Sequence, residues 1–236
     1  MEKPVPAEEE KISSGSDVID ELLSGGYEKD AITVIYGPSG SGKTNFCLVA
    51  LSNVAKHKKA IFMDTEGGFS VTRLNQICGN SKEILGKTLF LQPLTFEEQK
   101  KDFERLKTLV DDNIGIVIVD TISMLYRAER SDEDIKGINN SLGKQLNFLT
   151  EIARKKKIPV IVTSQVYSDF DRKDSVKMVG GDIVKYSGKC LIELQHDDRE
   201  RRAILRKHRS IADGKQVLFE IRDKGVFLVK KRPSLF

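Results

Sequence analysis

The residues best suited to chemistry lie in one glycine-rich stretch, Gly37-Pro38-Ser39-Gly40-Ser41-Gly42-Lys43-Thr44. Its pattern is G-x-x-x-x-G-K-[ST], in which backbone N–H groups cradle phosphates, the lysine reaches the β/γ oxygens and the threonine hydroxyl ligates Mg²⁺. An apolar run ending at Tyr36 precedes the stretch, and a helical pattern that includes Asn45 follows it. Because the motif requires this strand–loop–helix context, the sequence predicts a site for nucleotide phosphates and Mg²⁺.

Polar side chains also follow three other apolar runs. Glu66 follows the run 60–64, Asp120 ends the run 114–120, and Gln165 follows the run 159–163. In parallel α/β sheets, ligands lie beyond the carboxyl ends of the strands, so these side chains are expected to converge on the nucleotide. We expect the acid at 120 to hold Mg²⁺ through water, the acid at 66 to deprotonate the attacking water, and the amide to sense the γ-phosphate. Taken alone, each could instead cap a helix or form a turn.

The elements that must position these residues alternate between strand and helix. Strand patterns cover 32–36, 60–64, 88–91, 114–120 and 159–163, and helical patterns cover 17–23, 69–78, 106–110 and 138–153. Closely spaced strand candidates follow at 190–194, 203–206, 216–221 and 226–229. The predicted fold is therefore α/β, with a mainly parallel central sheet flanked by helices and a C-terminal antiparallel extension. Residues 1–11 are expected to form a disordered tail, and residues 12–236 a single domain.

Composition limits the remaining classes of function. The chain has 236 residues, a net charge of +4 and no apolar run approaching the ~20 residues of a membrane-spanning helix. Its first residues are rich in Pro and Glu and do not resemble a signal peptide, so a cytoplasmic protein is expected, without a membrane partner. Three widely separated cysteines, Cys47, Cys78 and Cys190, indicate neither a disulfide framework nor a zinc site.

Several motifs together resemble the core of the RecA/RadA recombinase family. They are Asp64-Thr65-Glu66-Gly67-Gly68-Phe69 with Arg73-Leu74, Val119-Asp120-Thr121 with Leu125-Tyr126-Arg127, Thr163-Ser164-Gln165-Val166, and Gly180-Gly181-Asp182. The resemblance runs from about Ile12 to Phe227 and is closest, in size and pattern, to a short archaeal paralogue of RadA. It implies a RecA-like P-loop NTPase core that uses ATP and Mg²⁺, with Glu66 as the catalytic base and Arg73 packed on the adenine.

The same resemblance implies two DNA-facing loops, one after Asp120 and one after Gln165. The aromatic and basic residues in them are Tyr126, Arg127 and Arg130 in the first loop, and Arg172, Lys173 and Lys177 in the second. Such side chains suit contact with phosphates and bases, so we expect electrostatic binding of DNA, preferably single-stranded, with little dependence on its sequence. Ordinary solvated loops are the alternative.

A further pair, Lys207 and Arg209, lies at the end of the strand candidate 203–206. Residues two apart on a strand point to the same face, so both could reach one triphosphate while His208 faces the other way. Similar pairs in several RecA-like ATPases project into the nucleotide of a neighbouring subunit, which predicts a trans-acting finger here. The alternative is that this pair continues the basic run from Arg199 and contacts DNA or solvent.

Three functions fit these patterns. The first is an ATP-binding, DNA-binding accessory of homologous recombination and DNA repair, with weak or DNA-modulated ATPase activity, which acts beside a main RadA-type recombinase. The second is a filament-forming strand-exchange recombinase, and the third is a KaiC-like ATPase or kinase. We favour the first. The second is disfavoured because the Phe-x-x-Ala sequence by which family members bind a neighbouring subunit and an N-terminal DNA-binding domain are not found, and the third because there is a single core with the signature Asp-Thr-Glu-Gly-Gly-Phe. Self-association stays possible.

Overall fold

The computed structural model describes residues 10–130, 134–168, 176–196 and 200–229. The strands are β1 (Lys11–Ile12), β2 (Tyr27–Glu28), β3 (Ile32–Tyr36), β4 (Lys59–Asp64), β5 (Thr88–Leu91), β6 (Ile114–Asp120), β7 (Val160–Ser164), β8 (Val166–Ser168), β9 (Val176–Met178), β10 (Cys190–His196), β11 (Arg201–Lys207), β12 (Gln216–Arg222) and β13 (Gly225–Leu228). The helices are α1 (Asp17–Leu22), α2 (Lys43–Ala55), α3 (Val71–Cys78), α4 (Ser81–Gly86), α5 (Phe96–Leu109), α6 (Met124–Glu129), α7 (Ile135–Lys156) and α8 (Gly181–Ser187).

A nine-stranded sheet forms the centre of the structure, in the order β13-β12-β11-β10-β3-β7-β6-β4-β5. The six strands from β10 to β5 in that order pair in parallel, whereas β11, β12 and β13 pair antiparallel. The predicted α/β fold with a C-terminal antiparallel extension is therefore confirmed. Because β3, β4, β6 and β7 all run in one direction, their carboxyl ends share one edge of the sheet, and the polar residues of the predicted site follow these ends.

The sheet is covered by helices on both faces, which explains why its central strands are apolar throughout. Every residue of β6 is buried, and its side chains alternate between two hydrophobic clusters. Ile116 and Ile118 pack with α1, α2, α3 and α4, whereas Val117 and Val119 pack with α5, α6, α7 and α8. Each fully buried Val or Ile contributes about 1.5–3 kcal/mol relative to an exposed one, so burial on two faces favours an unbroken β-branched run.

Several elements differ from the sequence-based expectation. Helix α5 begins at Phe96, ten residues before the predicted start, because Thr95 caps it by accepting a hydrogen bond from the Glu98 N–H at 3.1 Å. Three helices, α4, α6 and α8, and two short antiparallel ribbons, β1–β2 and β8–β9, were not predicted. Within the described residues, no helix is long and apolar enough to cross a membrane.

The N-terminal ribbon corrects the predicted extent of the tail. Lys11 lies in β1, opposite Glu28 of β2, and its Nζ donates to the Leu23 carbonyl oxygen at 2.9 Å. The Glu10 carbonyl oxygen accepts a hydrogen bond from the Lys29 backbone N–H, and the Glu10 carboxylate forms an ion pair with the Lys29 ammonium group. The prediction that the disordered tail includes residues 10 and 11 is therefore wrong, because long-range contacts hold them. The remainder of that segment lies outside the described residues.

Candidate functional site

The glycine-rich loop joins β3 to α2 at the carboxyl edge of the sheet. Gly42 precedes α2 with φ +110°, a left-handed conformation that turns the backbone so that N–H groups can face one point. At Gly37, a Cβ atom would lie 2.3 Å from the Leu194 carbonyl oxygen, so no larger residue fits between the loop and β10. The thirteen-residue helix α2 directs its N-terminus at the loop. This arrangement suits an anion, and the triphosphate of a nucleotide fits it.

Lys43 begins α2 and folds back over the loop. Its Nζ donates to the carbonyl oxygens of Gly37 and Pro38, both at 2.9 Å. Burial lowers the pKa of this ammonium, and the nearby carboxylates of Glu66 and Asp120 act in the opposite direction. The charge is thus held at the loop by weak neutral acceptors, which phosphate oxygens can replace with stronger, charge-assisted hydrogen bonds.

A hydroxyl and a carboxylate meet beside the loop. Thr44 Oγ1 donates to Asp120 Oδ2 at 2.7 Å, and Thr163 Oγ1 donates to Asp120 Oδ1 at 2.5 Å. Burial raises the pKa of the Asp120 carboxyl, and the two threonine hydroxyls partly oppose this effect. A buried carboxylate next to a threonine hydroxyl fits Mg²⁺, which is bound through one or two protein ligands together with water and phosphate. In the described part of the chain, no group of three or more His, Cys, Asp or Glu side chains could hold a metal by itself.

Glu66 lies beyond β4, where three elements meet. Its Oε1 accepts hydrogen bonds from Gln165 Nε2 at 2.8 Å and from Thr121 Oγ1 at 3.1 Å. The amide follows β7 and the threonine follows β6, so the carboxylate is bonded to the ends of two neighbouring strands. The structure therefore brings together Glu66 and Gln165, which lie 99 residues apart in the chain. A carboxylate held in this way can accept a proton from a positioned water.

Asp64 fixes the loop that presents this carboxylate. Its Oδ1 accepts from the N–H groups of Glu66 at 3.2 Å and Gly68 at 3.1 Å, and its Oδ2 accepts from Phe69 N–H at 3.0 Å. Three bonds from nearby backbone N–H groups to one buried acid give the loop a defined shape. The role of this residue is thus to position its neighbours, which the sequence motif alone does not reveal.

Arg73, which the family resemblance places on the adenine, extends from α3 toward two other parts of the chain. Its guanidinium donates to the side chain of Asn45 on α2 and to backbone carbonyls of the turn between β12 and β13. The side chain thus lies near the first turn of α2, on the side of the site where β12 and β13 approach. This position is compatible with contact to a nucleotide base.

Two residues near the loop were not predicted as site residues. Arg201 Nη1 donates to the Gly40 carbonyl oxygen at 2.6 Å, and His196 Nε2 lies 3.4 Å from the Ser39 carbonyl oxygen. They are paired across β10 and β11, so the antiparallel extension contacts the outer side of the loop. In the sequence, this contact is indicated only by the basic run that begins at Arg199. The pairing of β10 with β11 is what places Arg201 beside the glycine-rich loop.

The candidate DNA-binding residues divide into three groups. Tyr126 is 3% exposed, and its hydroxyl donates to Asn139 Oδ1 at 2.7 Å, so the prediction that it contacts DNA is wrong. It lies in the core because α6 directs it toward Phe96 of α5. Arg127, Arg130 and Lys177 are exposed. Arg172 and Lys173 lie outside the described residues.

The predicted finger pair is bonded within its own chain. Lys207 ends β11, and its Nζ donates to the Gly188 carbonyl oxygen at 2.8 Å. Arg209 lies beyond the strand, donates to Glu28 Oε1 at 2.9 Å and forms an ion pair with Asp30. His208 is also directed at Glu28, at 3.4 Å, so it does not face away from Arg209. Within its own chain the pair does not project from the strand, because buried and neighbouring carboxylates hold the arginine, and the trans-acting role stays a prediction.

Comparisons with known proteins agree with this geometry. Residues 7–228 match the Rad51 family. A "DNA repair and recombination protein RadB" from Methanobrevibacter smithii is 41% identical over 217 residues, which cover 88% of this chain and 92% of the relative. The protein of the same name from Methanococcoides burtonii is 40% identical, over 92% of this chain and 97% of the relative. The crystal structure of a RadB recombinase superposes with a TM-score of 0.80 at 35% identity, covering 92% of this chain and 99% of that one.

Proposed function

The chain belongs to the Rad51 family, and from this premise we propose that it is an ATP-binding and DNA-binding accessory protein of homologous recombination and DNA repair. The proposal includes weak ATPase activity that DNA modulates. The observation that carries it is the convergence of the glycine-rich loop, Thr44, Asp120, Glu66 and Gln165 at one edge of the sheet.

Each group has a distinct part in the proposed reaction. The loop and Lys43 bind the phosphates, and Thr44 with Asp120 holds Mg²⁺. A bound Mg²⁺ would supply charge neutralisation at the phosphates, and Thr44 and Asp120 would be its protein ligands. Glu66 orients a water and accepts its proton, while Gln165, bonded to the same carboxylate oxygen, responds to the γ-phosphate. Because this amide precedes β8, nucleotide occupancy can affect the ribbon β8–β9 that carries Lys177.

A lysine substitution tests the nucleotide part of the proposal. Lys43→Ala removes the ammonium group that donates to the Gly37 and Pro38 carbonyl oxygens of the loop. ATP affinity should therefore fall by about 10- to 100-fold, the range of a charge-assisted hydrogen bond. Isothermal titration calorimetry with MgATP measures the change, and the exposed Lys58→Ala variant is the control. Equal affinity for Lys43→Ala and the native protein would contradict the assignment.

The ion pairs of Arg209 with Glu28 and Asp30 favour an accessory protein over a filament-forming recombinase. In a trans-acting role this guanidinium would have to leave Glu28, which is 1% exposed, and Asp30. Leaving a buried carboxylate with one partner fewer costs free energy, which opposes assembly through this residue. We therefore expect the protein to remain a small species when ATP and DNA are present.

Solution mass measurement separates these functions. Light scattering after size-exclusion chromatography, with a non-hydrolysable ATP analogue and a single-stranded oligonucleotide, should show a complex of one or a few copies. A mass that grows with DNA length would indicate a filament and would favour the strand-exchange function. ATP binding with no detectable DNA binding would contradict the recombination role and favour the KaiC-like alternative.

A further inference from the structure

The edge of the Arg73 guanidinium is almost fully occupied by acceptors from three separate elements. Nε donates to Asn45 Oδ1 at 2.7 Å, and Nη1 donates to Gln76 Oε1 at 3.0 Å and to the Asp223 carbonyl oxygen at 2.9 Å. Nη2 donates to the Arg222 carbonyl oxygen at 2.8 Å. The first acceptor lies on α2, the second on α3 itself, and the two carbonyls at the end of β12 and in the turn that follows it.

These contacts restrict how the guanidinium can meet a ligand. A guanidinium is planar and has five N–H groups, all directed outward in its plane. Four of these directions are used here, so the edge has little capacity left for hydrogen bonds to a base. The two flat faces are not used by these four bonds, and a guanidinium face stacks well on an aromatic ring. The geometry therefore suits contact with a nucleobase through stacking.

We propose that Gln76 is a positioning residue for base recognition, which together with Asn45 and the β12–β13 turn holds the Arg73 guanidinium as a flat stacking surface for the nucleobase. The inference rests on the proposed nucleotide site, because the glycine-rich loop must place the phosphates for a base to reach Arg73. It goes beyond that site by assigning the orientation of Arg73 to an exposed side chain on α3.

The same bonds join the base subsite to the antiparallel extension. Residues 222 and 223 are exposed, and each accepts a hydrogen bond from the guanidinium through its backbone carbonyl. A base stacked on this guanidinium reduces its motion, which strengthens its hold on the turn. A ligand with phosphates but no base fills the loop without this effect. Hydrogen exchange in residues 216–228 should therefore be slowed more by MgATP than by magnesium tripolyphosphate.

Three variants test the positioning role by comparing ligands with and without a base. Gln76→Ala removes one acceptor, Gln76→Glu retains an acceptor at the same place, and Thr72→Ala changes an exposed residue of the same helix to alanine as a control. Calorimetric affinities are measured for MgATP and for magnesium tripolyphosphate. Gln76→Ala should weaken ATP binding about fivefold, the effect of one hydrogen bond, and leave tripolyphosphate binding unchanged. Gln76→Glu should restore native ATP affinity, since a carboxylate accepts at least as well from a guanidinium.

The outcomes that would overturn the inference are distinct from those that would overturn the nucleotide site. Equal weakening of both ligands by Gln76→Ala, or no weakening of either, would overturn the positioning role while the nucleotide site stands. Equal slowing of exchange in residues 216–228 by the two ligands would overturn the link to the turn. If the native protein bound neither ligand, the nucleotide site and the positioning role would both be overturned.

Discussion

At the scale of single residues, the site depends on carboxylates held in environments of different polarity. Asp120 is buried and bonded to two threonine hydroxyls, whereas Glu66 accepts bonds on one oxygen from Gln165 and Thr121. A buried acid held by two hydroxyls suits a fixed metal ligand, and a more open acid suits proton transfer. Their different surroundings support the division of roles proposed above.

Substitution of Glu66 should separate binding from hydrolysis. Glu66→Gln preserves size and one acceptor oxygen, but the amide cannot take a proton from water, so turnover should fall by about 10²- to 10⁴-fold while ATP affinity changes little. Phosphate release measured at saturating ATP, alongside calorimetry, provides the two values. Glu129→Gln, at an exposed acid on α6, is a matched control. Turnover within a few-fold of the native value would place the catalytic base elsewhere.

Substitution of Asp120 should have opposite effects on stability and on binding. Burial raises the pKa of this carboxyl, so the folded protein holds its proton more tightly than the unfolded chain does. Stability therefore falls as the pH rises from the ordinary pKa of an aspartate to the raised pKa of Asp120, because the carboxyl then ionises while it is buried. At pH 7, Asp120→Asn should increase the free energy of unfolding, and this gain should shrink toward pH 4.

The same Asp120→Asn variant should lose Mg²⁺-dependent ATP affinity, because an amide is a weaker ligand for a hard cation. Urea unfolding at both pH values and calorimetry with and without Mg²⁺ measure the two effects. Asp213→Asn, at an exposed position, is the control. A variant that is less stable at pH 7 and binds MgATP normally would show that this acid is structural only.

At the scale of elements, the central strands could be predicted because their signal is local. An unbroken apolar run such as 114–120 specifies a strand buried on both faces, and the predicted and observed bounds coincide. The start of α5 could also have been predicted from the sequence, since Thr95 and Glu98 have the spacing of a capping box. The ribbons β1–β2 and β8–β9 have only two or three residues per strand, which is too short for a periodic pattern.

Side-chain partners that are distant in the chain could not be predicted in this way. Tyr126 belongs to a motif that was predicted to lie in a DNA-facing loop, yet the packing of α5 and α6 places it in the core. Arg209 belongs to a basic run that is typical of an exposed surface, but its partners Glu28 and Asp30 lie 181 and 179 residues away in the chain. Local sequence contains no information about such pairs, whereas the convergence of Glu66 and Gln165 follows from the order of parallel strands.

Removal of the arginine that joins β11 to β2 should affect stability and spare catalysis. Arg209 is hydrogen-bonded to buried Glu28, and it also lowers the pKa of the Asp30 carboxyl by hydrogen bonding to it. Arg209→Ala should reduce the free energy of unfolding by about 2 kcal/mol, less than for a fully buried pair because the arginine is partly exposed.

Turnover of Arg209→Ala per folded molecule should match the native protein below the melting transition. Denaturant unfolding and ATPase assays at several protein concentrations provide both values, with the exposed Arg154→Ala as a control. Loss of turnover with unchanged stability would instead support a trans-acting arginine.

At the scale of the whole molecule, the two parts of the sheet meet at the nucleotide site. The parallel strands supply the phosphate loop and the carboxylates, and the antiparallel strands contact the same loop through Arg201 and hold Arg73 through a turn. Phe219 of β12 packs edge-on against Phe46 of α2 at a centroid distance of 5.2 Å. The glycine-rich loop is therefore in contact with the C-terminal strands, and Glu66 is bonded to Gln165, which precedes the ribbon β8–β9.

DNA binding should depend on the exposed cations near that site and not on the buried tyrosine beside them. Each phosphate contact to single-stranded DNA contributes about −0.7 to the slope of log affinity against log salt. A variant with both Arg127→Ala and Arg130→Ala should therefore have a slope shallower by about 1.4 and a lower affinity at low salt. Fluorescence anisotropy with a labelled oligonucleotide measures both quantities.

Tyr126→Phe provides the contrast for this DNA-binding experiment, because it removes only the hydroxyl bonded to Asn139 within the core. It should lower the free energy of unfolding by about 1 kcal/mol and leave DNA affinity unchanged. If Tyr126→Phe weakened DNA binding while the double arginine variant did not, α6 would have to open before DNA is bound, and the assignment of the exposed arginines would be wrong. If neither variant changed affinity, the DNA surface would lie away from α6.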